Sequence, residues 1–181
     1  MRTIMTVLFV GLMLPLASFA QVVTVGGGQT VRVSTKHDYA RVEVNFPWRE
    51  EIWRGESLQL SLHHAASLYY FTDKNDVWAV SWAPNFILAP QARDGFYPYL
   101  QFGIGVAVLS DDKFESDDSD PDDDGASDMG SNAQFENSVA VGLVREPWSI
   151  RAKFYHLSNA GLADPNGGMD VAEFGVSYRF Q

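Results

Sequence analysis

The residues of this chain best suited to chemistry lie near its C-terminus, between Ile150 and Glu173. Read as a strand, 149–158 puts Ile150, Ala152, Phe154, His156 and Ser158 on one face and Arg151, Lys153, Tyr155 and Leu157 on the other. A histidine and a serine two positions apart on a strand sit ~6–7 Å from one another on the same side. A modest tilt then brings imidazole and hydroxyl within reach, the arrangement of a base and the nucleophile it activates. Such a pair lacks only a group to orient the histidine. The next segment supplies two acids, Asp170 and Glu173, and their odd separation makes them face opposite ways. Asp170 shares parity with Ala172, Phe174 and Val176, and Glu173 with Gly175, Ser177 and Arg179. Asp170 is therefore the candidate third member, and Glu173 is an interior partner for Arg151 or Lys153.

This facing depends on the elements that carry it. Beyond Gln21 the pattern has a period of two, punctuated by Gly, Pro, Asn and Asp clusters, and predicts strands at 22–33, 39–48, 57–71, 77–88, 98–109, 133–144, 149–158 and 170–180. Most are ten residues or longer, matching the ~9–11 needed to cross a bilayer at a tilt. Leu100, Phe102, Ile104, Val106 and Val108 fall opposite Tyr99, Gln101, Gly103, Gly105 and Ala107, so one face is large and apolar and the other small or polar. That pattern predicts a closed, eight-stranded antiparallel transmembrane β-barrel of the bacterial outer membrane, with apolar residues outside and a crowded polar lumen. Arg151 and Lys153 must then face inward, because a cation toward lipid costs ~2–4 kcal/mol at mid-depth. Trp48, Trp53, Tyr69, Tyr70, Trp78, Tyr97, Trp148, Tyr178 and Phe180 are the expected interfacial girdles. Turns at 49–56, 89–97 and 145–148 face the periplasm, and connections at 34–38, 72–76, 110–132 and 159–169 face outward.

The N-terminus reads as a signal peptide over residues 1–20. Arg2 precedes an apolar run from Ile4 to Leu16, and Ser18-Phe19-Ala20 forms the cleavage site. Residues 21–181 form one barrel domain. The chain has 181 residues, no cysteine and a net charge of -10. Disulfides and cysteine metal sites are thereby excluded. Residues 111–128 hold ten acidic side chains and one basic, a balance of -9, so the rest of the chain sums to -1. With no basic stripe, a nucleic-acid partner is disfavoured. Within this acidic loop, Asp120, Asp122 and Asp124 match the opening of an EF-hand loop, but Ser131 stands where a bidentate Glu belongs. They are calcium candidates in what is by default a solvated loop, and the chemistry of the His-Ser pair requires no cofactor.

The stretch FYHLSNAGLADPNGGMD, residues 154–170, closely resembles the signature of the outer-membrane lipid A 3-O-deacylase family, PagL. SWAPNF at 81–86 and FGIGVAVLS at 102–110 look like that family's fourth and fifth strands. The resemblance is clear over roughly residues 77–181 and holds only in outline before them. It implies an esterase that removes the 3-linked acyl chain from lipid A of lipopolysaccharide in the outer leaflet. By position His156 would be the general base, Ser158 the nucleophile, and Asn166 with the Gly161 backbone amide the oxyanion stabiliser. Asn159 reads equally as a supporting site residue and as a turn residue tolerant of left-handed geometry. Where the family usually carries Glu, this chain has Asp170, one methylene shorter.

Two other readings compete. A non-enzymatic small barrel acting in adhesion or membrane stability would have the same fold, and only the set His156, Ser158 and Asp170 separates the two. A soluble barrel of lipocalin type would put the large apolar side chains inside, so the facing of Arg151 and Lys153 discriminates it.

Overall fold

The computed structural model describes residues 22–31, 36–72, 76–114 and 127–180. The expected signal peptide, residues 1–20, and the calcium candidates Asp120, Asp122 and Asp124 lie outside them. The described chain forms β1 (Val22–Thr30), β2 (Asp38–Arg54), β3 (Leu58–Phe71), β4 (Val77–Pro90), β5 (Tyr97–Leu109), β6 (Lys113–Phe114), β7 (Ser127–Asp128), β8 (Ala133–Arg145), β9 (Trp148–Ser158) and β10 (Met169–Arg179). All long strands pair antiparallel and close as β1-β10-β9-β8-β5-β4-β3-β2. β1 pairs with both β2 and β10, so the barrel sheet has no open edge and every long strand finds backbone partners on both sides.

The facing follows the alternation. Val25, Val80, Phe102, Ile104, Val106, Val108, Val141, Ile150, Phe154, Phe174 and Val176 are exposed on the outer wall. Register aligns them in apolar belts, such as Val25–Val42–Leu68–Val80–Val108 and Phe102–Val139–Phe154–Ala172. Inside, Arg41, Arg151 and Lys153 are buried against Glu43, Glu136 and Glu173. Arg151 bridges Glu43 at 2.5 Å and Glu173 at 2.7 Å, while Lys153 reaches Glu136 at 3.1 Å. Three cations thus meet three carboxylates, so each buried charge of this layer has an opposite charge as partner. With the charges inside and the large apolar side chains outside, the soluble-barrel reading is overturned.

Above this charged layer, toward the long connections, Tyr39, Tyr69, Phe71, Leu109, Phe114, Met129, Tyr155 and Leu157 pack into one cluster that fills the lumen. Two expected girdle residues belong inside. Tyr69 is fully buried in this cluster, and Tyr97 is buried with its hydroxyl donating to Glu146 at 2.9 Å. Parity explains both, since Tyr69 lies between Ser67 and Phe71 on the inner face and Tyr97 precedes Tyr99 and Gln101 there. Trp48, Trp53, Trp148 and Phe180 do stand exposed near the short turns.

Two boundaries also differ. The expected turn at 49–56 is mostly strand, because β2 runs to Arg54 through register shifts between Pro47 and Arg49 and between Arg49 and Trp53. Bulges carry the strand through the charge cluster that read as a turn. The expected 110–132 loop has paired ends, with Lys113 opposite Asp128 and Phe114 opposite Ser127.

Candidate active site

β9 and β10 place His156 directly opposite Asp170. The imidazole Nδ1 lies 2.7 Å from Asp170 Oδ1, with Asp170 nearly buried and the His156 side chain 43% exposed. Both belong to the outward-facing set, since the neighbouring inner positions Tyr155 and Leu157 are fully buried while Phe154 and Ala152 are exposed. A carboxylate on Nδ1 fixes the tautomer and leaves Nε2 at the accessible edge of the ring. Ser158 ends β9 on the same face and is half-buried. Glu173 faces inward, accepting from Arg151 and from the Tyr39 hydroxyl at 3.0 Å.

The connection from Asn159 to Gly168 is built around one side chain. Asn159 is buried, and its Nδ2 sits within donating distance of the carbonyls of Met129 at 2.9 Å, Ala163 at 3.0 Å and Pro165 at 3.2 Å. Its Oδ1 accepts the Gly161 amide at 2.8 Å. The Gly161 amide, at a φ of 76°, is thereby engaged inside the loop in this structure. Asn159 is accordingly the hub of the connection. Asn166 Oδ1 accepts the Asn159 backbone amide at 3.2 Å, so its own NH₂ is the end left to donate elsewhere.

Three contacts of this connection were not legible in the residues. Gly168, at a φ of 61°, packs so closely that a Cβ there would stand 3.1 Å from His156 Cε1. Gly130 packs on the Pro165 carbonyl, and Gly167 N donates to Asp128 O at 3.1 Å, so the end of the acidic loop clamps the connection. A further polar residue, Asn137, lies opposite His156 across β8 and is exposed. Its signal was present, as an amide interrupting the outward series Phe135, Val139, Val141 and Leu143.

A closed barrel with an apolar outer wall defines an integral β-barrel protein, and the His156–Asp170 pair lies among its outward-facing residues. The sequence pattern of the family described as Lipid A 3-O-deacylase (PagL) matches residues 38–179, and the chain belongs to that family. A lipid A deacylase PagL of Pseudomonas aeruginosa is 27% identical over 134 residues, covering 72% of this chain and 71% of its own. Its counterpart in Bordetella bronchiseptica is 28% identical over 172 residues, covering 89% and 88%. Among solved structures, the outer-membrane enzyme PagL superposes with a TM-score of 0.74 at 24% identity, over 88% of this chain and 99% of that one. Neisserial surface protein A shares the fold alone, with a TM-score of 0.51 at 14% identity over 88% and 96%. The protein is an integral outer-membrane barrel and an ester hydrolase of this family.

Proposed function

We propose that the protein hydrolyses the 3-linked acyl ester of lipid A with His156, Ser158 and Asp170 acting together on the lipid-facing wall. The observation that carries this reading is the 2.7 Å contact between His156 Nδ1 and Asp170 Oδ1. With Nδ1 committed, Nε2 is the nitrogen that accepts the Ser158 proton as Oγ attacks the ester carbonyl. The proton then passes to the departing lipid A 3-oxygen, releasing the first product and leaving the acyl group on Ser158. Water attacks that acyl-enzyme with His156 again as base, and the fatty acid leaves with Ser158 restored. The Asn166 NH₂, whose amide oxygen is engaged by the Asn159 backbone, would donate to the developing oxyanion. Asp170 in place of Glu is compensated by its position, because direct cross-strand pairing brings its shorter side chain to the imidazole.

A site on the outer wall suits a substrate whose acyl chains never leave the membrane. The long connections would lie outside the cell and the short turns in the periplasm, which puts His156 and Ser158 at the depth of outer-leaflet esters. Mass spectrometry of lipid A incubated with the refolded protein tests the reading. Loss of one 3-linked fatty acid is expected, and intact lipid A under conditions where the barrel is folded would sink it.

A further inference from the structure

The outward series of β8 is apolar at Phe135, Val139, Val141 and Leu143, and Asn137 stands among them as an exposed amide. Register sets Asn137 between Ile104 of β5 and His156 of β9. His156 in turn faces Asp170, so the amide flanks the imidazole on the side away from its carboxylate. Among the described residues the Asn137 amide has no hydrogen-bond partner. An amide turned toward hydrocarbon gives up its water, and polar side chains at that depth are normally directed inward or paired. A valine or leucine would suit the wall better. The partner that explains the amide must therefore arrive from the membrane.

Depth narrows what that partner is. Ser158 ends β9 at the rim bearing the long connections, and His156 lies just before it. Asn137 sits further from that rim, well inside β8, which begins at Ala133. It lies below an ester held at Ser158, where the acyl chain of that ester enters the hydrocarbon, and the sugar and phosphate groups stay above it. Cross-strand partners stand ~4.5–5.5 Å apart, the distance from an ester carbonyl to a substituent a few carbons down the same chain. An Asn amide both donates and accepts, and a neutral hydroxyl can do the same. An unsubstituted methylene would leave the amide unpaired.

We propose that Asn137 is a specificity-determining residue, which selects acyl chains carrying a hydroxyl on the third carbon by hydrogen bonding to that hydroxyl. The proposal rests on the placement of the scissile ester at Ser158 given above. Sites built to pair a substrate hydroxyl reject the analogue that lacks it, because the protein group is then left unsatisfied.

The test compares two glucosamine lipids that differ only in the 3-O-linked chain, one 3-hydroxytetradecanoyl and the other tetradecanoyl. Fatty acid release by the refolded full chain gives kcat/KM for each. Wild-type protein should favour the hydroxylated chain by at least about tenfold, and Asn137→Leu, checked for heat-modifiable migration, should bring the ratio to about one. Equal wild-type rates, or a ratio unchanged in Asn137→Leu, would overturn the proposal and leave the deacylase reading standing. So would an equal proportional fall on both substrates, which is the signature of a residue acting through His156. Release from neither substrate by folded wild-type protein would overturn the proposal and the deacylase reading together, so the two failures are told apart.

Discussion

His156 and Asp170 are direct cross-strand partners on β9 and β10, and 2.7 Å separates imidazole Nδ1 from carboxylate Oδ1. Three residues further along β10, Glu173 points the opposite way, into the lumen. The two acids therefore answer to different assays. Ser158→Ala and His156→Ala should each lower deacylation by at least about 10³-fold, and Asp170→Asn by about 10²–10⁴. Glu173→Gln should spare the rate but lower unfolding stability by about 1–3 kcal/mol. Lipid A mass spectrometry and urea unfolding of each variant check the order, and a reversal would invert the facing of β10.

Asn159→Ala should slow turnover without unfolding the barrel. The change strips the Met129, Ala163 and Pro165 carbonyls of their shared donor, at about 1–3 kcal/mol for the buried groups. The cost falls on the loop that holds Asn166, so amide exchange should quicken over residues 159–168 while strand amides stay protected.

Gly168→Ala combines a left-handed backbone with a new methyl group pressed on the imidazole. About 1–2 kcal/mol of backbone strain is expected, with a larger proportional loss in kcat than in thermal stability. Unchanged kinetics would mean that the ring has room to shift.

Ile104 is 60% exposed near the middle of β5. Replacing it with Arg should destabilise the barrel in a bilayer by about 2–4 kcal/mol, and the same change near a strand end should cost far less. Reversible urea unfolding from lipid vesicles measures the difference.

Arg151→Met removes one of three buried cations and leaves Glu43 and Glu173 facing each other across the gap. The expected loss is about 3–5 kcal/mol, read as a lowered urea midpoint.

Much of this was visible in the residues because lipid imposes a strict rule on a strand. Arg151 and Lys153 had to face inward, and that single constraint oriented His156, Ser158 and Asp170 by counting. The errors came where counting was set aside. Tyr69 and Tyr97 looked like girdle residues from their nearness to strand ends, although their parity already placed them inside. Residues 49–56 looked like a turn because bulges leave no periodic trace. The loop was illegible for another reason. Asn159 owes its role to the Met129 carbonyl thirty residues earlier, and no local spacing reports that meeting.

The balanced layer of three arginine and lysine side chains against three glutamates, capped by the aromatic cluster, stoppers the barrel. A bacterium can therefore install this catalyst in its permeability barrier without opening a leak for ions or antibiotics. In planar bilayers the folded protein should pass no steady current, since the ion-paired layer and the aromatic cluster above it close the lumen.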